Sequence, residues 1–148
     1  MKIRLEPVTV ASRAAVERLE TAPGQEGFVE SVAECLAEAD RRRCWRPVGV
    51  YDGDALIGFA MYGFFWEYLP FGRLWLDRLL IDRRFQGYGR AALAALLERL
   101  EREYHKKRIY LSVVEANRPA AALYESFGFR FTGERDTHGE RVMCLRTR

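Results

Sequence analysis

Apolar and polar residues alternate at the start of the chain. Ile3 and Leu5 are set between Lys2, Arg4 and Glu6, the period of a half-buried strand, and Pro7 discourages its extension. The period then lengthens: Thr9 offers an N-cap to a helix over residues 10–20, with Val16 and Leu19 facing inward before Pro23-Gly24 breaks it. Phe28, Val32, Cys35, Leu36 and Ala39 recur at helical spacing and predict a second helix. Two β-rich runs, 46–51 and 55–62, joined by Asp52-Gly53-Asp54, predict an antiparallel hairpin. The aromatic stretch from Phe64 to Phe71 reads first as packing surface, with an ammonium-binding channel as the alternative.

Residues 74–81 are apolar apart from Asp77 and Arg78, as in a central strand covered by helices. They lead through a turn, Arg84-Phe85-Gln86-Gly87-Tyr88-Gly89, into a helix over 90–104 whose Leu93, Leu96, Leu97, Leu100 and Tyr104 share one face. Residues 109–114 predict a strand parallel to the central one, because a helix crosses between them. Asn117 caps a helix with Pro119 in its first turn, which Gly128 stops after Phe127. Runs 130–134 and 141–146 close the chain as a hairpin through His138-Gly139. The expected fold is α/β (α+β), a mixed central sheet of about six to seven strands flanked by about four helices.

The chain of 148 residues, 49% hydrophobic, suffices for one domain with its own core, expected to span residues 1–148. A net charge of +3 is too balanced to argue for a nucleic-acid partner. Cys35, Cys44 and Cys144 are odd in number and widely spaced, so reduced thiols are expected rather than disulfides or a metal site. Neither His105 nor His138 has a sequence partner that suggests catalysis. The N-terminus is unlike a secretory signal and no apolar run approaches the ~20 residues of a membrane span, so a cytoplasmic location and no membrane partner are expected.

Candidate chemistry gathers at the glycine turn. Glycine lets backbone approach a ligand, and the N–H groups opening a helix favour a phosphate, which makes the turn a candidate pyrophosphate cradle. A Walker loop and a dinucleotide fingerprint are both absent. Arg84-x-x-Gly87-x-Gly89 resembles instead the acetyl-CoA loop of the GNAT family of N-acetyltransferases. Asn117-Arg-Pro-Ala-Ala-Ala-Leu-Tyr124-Glu-Ser-Phe-Gly128-Phe129 resembles the same family's Asn-x-x-Ala-x-x-Leu-Tyr-x-x-x-Gly-Phe signature. The likeness covers nearly the whole chain and is closest to bacterial spermine/spermidine (polyamine) acetyltransferases. Against the Tyr-Gln-Gly-Lys-Gly-Tyr-Gly of such relatives the loop reads as two residues short: either Arg84 takes the place of the usual Gln or one N–H contact to the pyrophosphate is lost.

The resemblance implies acetyl-CoA as co-substrate. Leu79, Leu80 and Ile81 would pair with its pantetheine arm, Arg84, Gln86, Gly87, Tyr88, Gly89 and Arg90 would hold its pyrophosphate, and Asn117 would assist. Tyr124 takes the position of the family's general acid. The implied reaction acetylates a primary amine, with a polyamine such as spermidine or spermine as the expected acceptor. Glu26 and Glu30, beside Pro23-Gly24, are the expected substrate-binding residues, while Glu34 and Glu38 read as a solvated face. Asp77, Glu67 and Glu115 are alternative bases. An antibiotic or protein N-terminal acetyltransferase, or a non-catalytic CoA-sensing protein, are the competing readings. Oligomeric state does not follow from the sequence; a homodimer is one option.

Overall fold

The alternation at the N-terminus forms β1 (Ile3–Pro7), which pairs antiparallel with β2 (Trp45–Asp52) in a computed structural model that describes residues 2–20, 31–68 and 70–147. Between them lie α1 (Val10–Glu17) and α2 (Val32–Arg41). Thr9 caps α1 as expected, its Oγ1 accepting the Ser12 N–H at 3.3 Å. The helix ends three residues before the expected Glu20. The Asp82 carboxylate accepts the Glu20 N–H at 2.9 Å, and the Glu20 carbonyl accepts from the Arg83 N–H at 2.9 Å. Those bonds draw Glu20 out of the helical ladder. Helix α2 begins at the capping box Ser31-x-x-Glu34, a signal the apolar spacing alone overlooks. Phe28, Glu26 and Glu30 lie outside the described residues.

The hairpin of β2 and β3 (Ala55–Phe65) continues antiparallel into β4 (Arg73–Ile81). A 3-10 turn over Arg83–Phe85 precedes α3 (Gly89–Tyr104), and β5 (Arg108–Val113), α4 (Arg118–Ser126), β6 (Arg130–Arg135) and β7 (Arg141–Arg146) follow. The sheet is seven-stranded and mixed, in the order β1-β2-β3-β4-β5-β7-β6. The α3 crossover makes β4 and β5 parallel, but only Leu74–Ile109 and Trp75–Tyr110 pair between them. One cause is a bulge in β4. Met61 pairs with Arg78 and Tyr62 with Leu76, which leaves Asp77 as the extra residue. A bulge adds local twist. The C-terminal half of β4 thus turns away from β5.

Helices cover both faces of the sheet. Leu93, Leu96 and Leu100 of α3 are fully buried in a core with Val50, Ile57, Leu74 and Ile109. Val16 of α1 and Cys35 and Leu36 of α2 pack on Phe59 and Met61 on the opposite face. Truncating one such leucine to alanine costs about 2–5 kcal/mol, a large share of a domain's net stability, so burial rather than propensity anchors α3. Among the described residues the three cysteines form no disulfide and no helix is long and apolar enough to cross a membrane.

Candidate active site

Where β4 and β5 part, they leave a cleft of about 390 Å³. Leu79, Leu80 and Ile81 form one wall, and Val113, Asn117 and Tyr124 stand on the other. Beyond Trp75 the β4 edge facing β5 has no β5 ladder partner among the described residues, and a ligand laid along the strand there would meet β4 backbone.

The glycine turn closes one end, built around Asp82. This carboxylate is fully buried and accepts from the N–H groups of Glu20 and Arg84 and from Arg84 Nε, each at 2.9 Å. Burial pushes its carboxyl up, but the Arg84 side chain and those backbone donors outweigh it, and the net direction is downward. The Arg84 guanidinium is therefore turned onto Asp82 and does not line the cleft. Gln86 does line it, and its Nε2 donates to the carbonyls of Ile81 at 3.1 Å and Asp82 at 3.2 Å. Gly87 has φ +104°, a conformation that strains any residue with a Cβ, and Gly89 opens α3 where an added Cβ would meet only Leu123 Cδ2, at 3.7 Å. Tyr88 and Arg90 are turned elsewhere: the Tyr88 hydroxyl donates to Asp52 Oδ2 at 2.7 Å, and the Arg90 guanidinium lies over the Phe127 ring at 5.3 Å.

Of the residues assigned to acetyl-CoA from the sequence, Leu79, Leu80, Ile81, Gln86, Gly89 and Asn117 come together in this cleft. Asn117 also caps α4, its Oδ1 accepting the Ala120 N–H at 3.3 Å. Tyr124 lies on α4 with its ring edge-on to Phe129, 5.9 Å between centroids. Burial pushes its phenol up, with the positive charge of Arg78 acting weakly against that, so the hydroxyl keeps its proton at neutral pH.

A second cleft, of about 340 Å³, joins the first through a common wall of Trp75, Asp77, Ser112, Asp136 and His138. Its far end holds Glu38, Arg42, Trp45, Phe65, Glu67 and Tyr68. The sequence misassigned Glu38, which lines this cleft rather than a solvated face. Glu34 is indeed exposed and occupied by its capping box, where it accepts the Ser31 N–H at 2.9 Å. His138, discounted from the sequence, lines both clefts because the β6–β7 turn brings it there. Asp136 shapes that turn, accepting the His138 and Glu140 N–H groups at 2.9 Å. Glu115 lines neither cleft and is paired with Arg135 at 2.9 Å. The buried Trp75 Nε1 has no hydrogen-bond partner among the described residues, which leaves a polar donor in the common wall.

The arrangement can be set beside known proteins. The profile of the Acetyltransferase (GNAT) family matches residues 13–129. The chain is 45% identical over 148 residues to the spermine/spermidine N(1)-acetyltransferase of Bacillus subtilis (strain 168), covering 97% of each. An acetyltransferase from Thermus thermophilus superposes with a TM-score of 0.74 at 23% identity, over 99% of this chain and 98% of that one. The spermidine N-acetyltransferase of Vibrio cholerae, solved in complex with CoA and spermine, gives a TM-score of 0.71 at 18% identity, over 97% and 95%. Two sequence signatures on a splayed sheet, a family profile over most of the chain and a relative matched along nearly its full length lead to one conclusion: the chain belongs to the GNAT family of acetyltransferases.

Proposed function

We propose that this protein transfers the acetyl group of acetyl-CoA to a primary amine of a polyamine such as spermidine or spermine. The observation that carries this reading is the pair of joined clefts. One has a strand edge that β5 leaves uncovered and a glycine turn at its mouth; the other carries carboxylates (Glu38, Glu67, Asp77, Asp136) among aromatic rings. Carboxylates and ring faces are what a chain of ammonium groups needs. The near-full-length relative named for spermine and spermidine supports the same acceptor class.

In this reading Gly87, Gly89 and the first N–H groups of α3 receive the pyrophosphate, and the β4 edge aligns the thioester arm. Backbone N–H groups of Leu79 and Ile81, which face away from β3, polarise the thioester carbonyl. Asp77, of the three bases considered from the sequence the one in the common wall, takes the proton of the acceptor ammonium, directly or through a water. The freed nitrogen attacks the carbonyl carbon and gives up its second proton to water, the C–S bond breaks, and Tyr124 gives its proton to the departing thiolate before regaining one from solvent. A polyamine-acetylating enzyme of this kind would act in the cytoplasm.

The test is thiol release from acetyl-CoA with spermidine, spermine, a monoamine, an aminoglycoside and an N-terminal peptide as acceptors. Preference for the polyamines is expected. Preference for the aminoglycoside or peptide would remove the polyamine assignment, and no turnover with any acceptor would favour a CoA sensor.

A further inference from the structure

The far end of the second cleft already contains a cation. The Arg42 guanidinium donates from Nη2 to Glu67 Oε1 at 2.7 Å, and its Cζ stands 4.8 Å above the centre of the Phe65 ring. A carboxylate on one side and a ring face on the other make the environment an alkylammonium would need. Glu38, in the same cleft, is held below the usual carboxylate range first by its bond from Arg41, with the charge of Arg42 also contributing. Glu67 lines the second cleft and not the first, so the pairing lies at the end remote from the thioester cleft.

We propose that Glu67 and Phe65 form the subsite for the remote ammonium of the acceptor, and that Arg42 is an internal competitor which the acceptor must displace. The inference rests on the polyamine reading and deepens it. An acceptor with a second cationic centre replaces the Arg42–Glu67 pair with its own. A monoamine, reacting at the common wall, does not reach the pair and leaves it intact. Arg42 is thereby a specificity-determining residue that touches no reacting atom, and its length and charge set the affinity for the far end of the substrate. Side chains of both partners are partly exposed, 43% for Arg42 and 60% for Glu67, so the competition is modest and can be reversed by substrate.

The experiment measures KM and kcat for spermidine and for a monoamine in the parent, Arg42→Ala, Arg42→Lys, Glu67→Gln and the Arg42→Ala/Glu67→Gln double variant. In Arg42→Ala the KM for spermidine should fall by about two- to fivefold, the range that loss of one exposed ion pair implies, with kcat and the monoamine KM unchanged. Arg42→Lys keeps a competing cation and should stay near the parent. Glu67→Gln should raise the spermidine KM and abolish the effect of Arg42→Ala. A parent that turns over spermidine while Arg42→Ala leaves its KM unchanged or raised overturns this inference alone. A parent that acetylates other amines but no polyamine overturns both readings.

Discussion

Trp75 and Tyr110 are the last residues at which β4 and β5 are paired, and their rings lie 5.6 Å apart at the point where the sheet divides. Leu79, Leu80 and Ile81, assigned to the thioester arm, lie beyond that point on β4. Acetyl-CoA at about 100-fold excess over its dissociation constant should stabilise the fold by about 2.7 kcal/mol, a rise in Tm of roughly 5–10 °C. A thermal melt with and without acetyl-CoA checks this. No shift at saturating concentration would count against a site between the strands.

The two glycines of the turn should separate folding from binding. Gly89→Ala adds a methyl that meets only Leu123 at ordinary contact distance, so Tm should barely change while the acetyl-CoA KM rises about tenfold or more. Gly87→Val places a β-branched residue at φ +104° and should lower both affinity and Tm. Kinetics and melts of the two variants side by side read the difference. An unaltered KM in both would detach the turn from the cofactor.

Tyr124→Phe keeps the ring against Phe129 and removes the proton donor. Turnover should fall by about 10²–10⁴ with little change in acetyl-CoA binding. Burial raises the phenol, so protonation is retained through neutral and mildly alkaline pH. Any loss of kcat due to this group therefore begins above ~10, the ordinary tyrosine value, and should be missing from the variant. A pH–rate profile of both enzymes decides it. Equal turnover would reduce Tyr124 to packing.

Local chemistry made the fold legible. The period-two start, the Asp52-Gly53-Asp54 hairpin and the α3 leucines each specify an element through neighbours a few residues away, and the structure bears them out. The residues of the first cleft were legible for a similar reason, since the glycine turn and the α4 signature are each contiguous in the chain. The far end of the second cleft was not. Glu38, Trp45, Glu67, Asp77 and Asp136 come from five separate stretches and meet only through the sheet. The sequence shows their chemistry but not their meeting. The early end of α1 was equally hidden, because its cause is a carboxylate 62 positions away from Glu20.

That carboxylate should leave an acid signature. Asp82 is held below its ordinary value in the folded state, so the stability it adds is complete above the unfolded carboxyl pKa of ~3.9 and is lost as pH falls through the folded value. Asp82→Asn keeps the shape but replaces one acceptor oxygen with a donor, leaving a donor of Glu20 or Arg84 unmatched. The expected cost at pH 7 is about 1–3 kcal/mol. Urea melts between pH 7 and pH 3 should show the gap between parent and variant narrowing in the acid range. A gap that stayed constant would mean the ionised form is not what stabilises the turn.

The Arg73–Glu134 bridge, two nitrogen–oxygen bonds of 3.0 Å, ties the first residue of β4 to β6 across the dividing line of the sheet. It fastens the narrow end of the splay and leaves the wide end unfastened. Six residue steps along β4 lead from Trp75 to Ile81, a lever of roughly 20 Å at strand rise. A rotation of about 5° at the fastened end moves the tip by more than ~1 Å, the scale on which misplacement changes a reaction rate. Any such play would be geared: a small angle at a surface ion pair, remote from the turn, would arrive at the mouth as a change in jaw width.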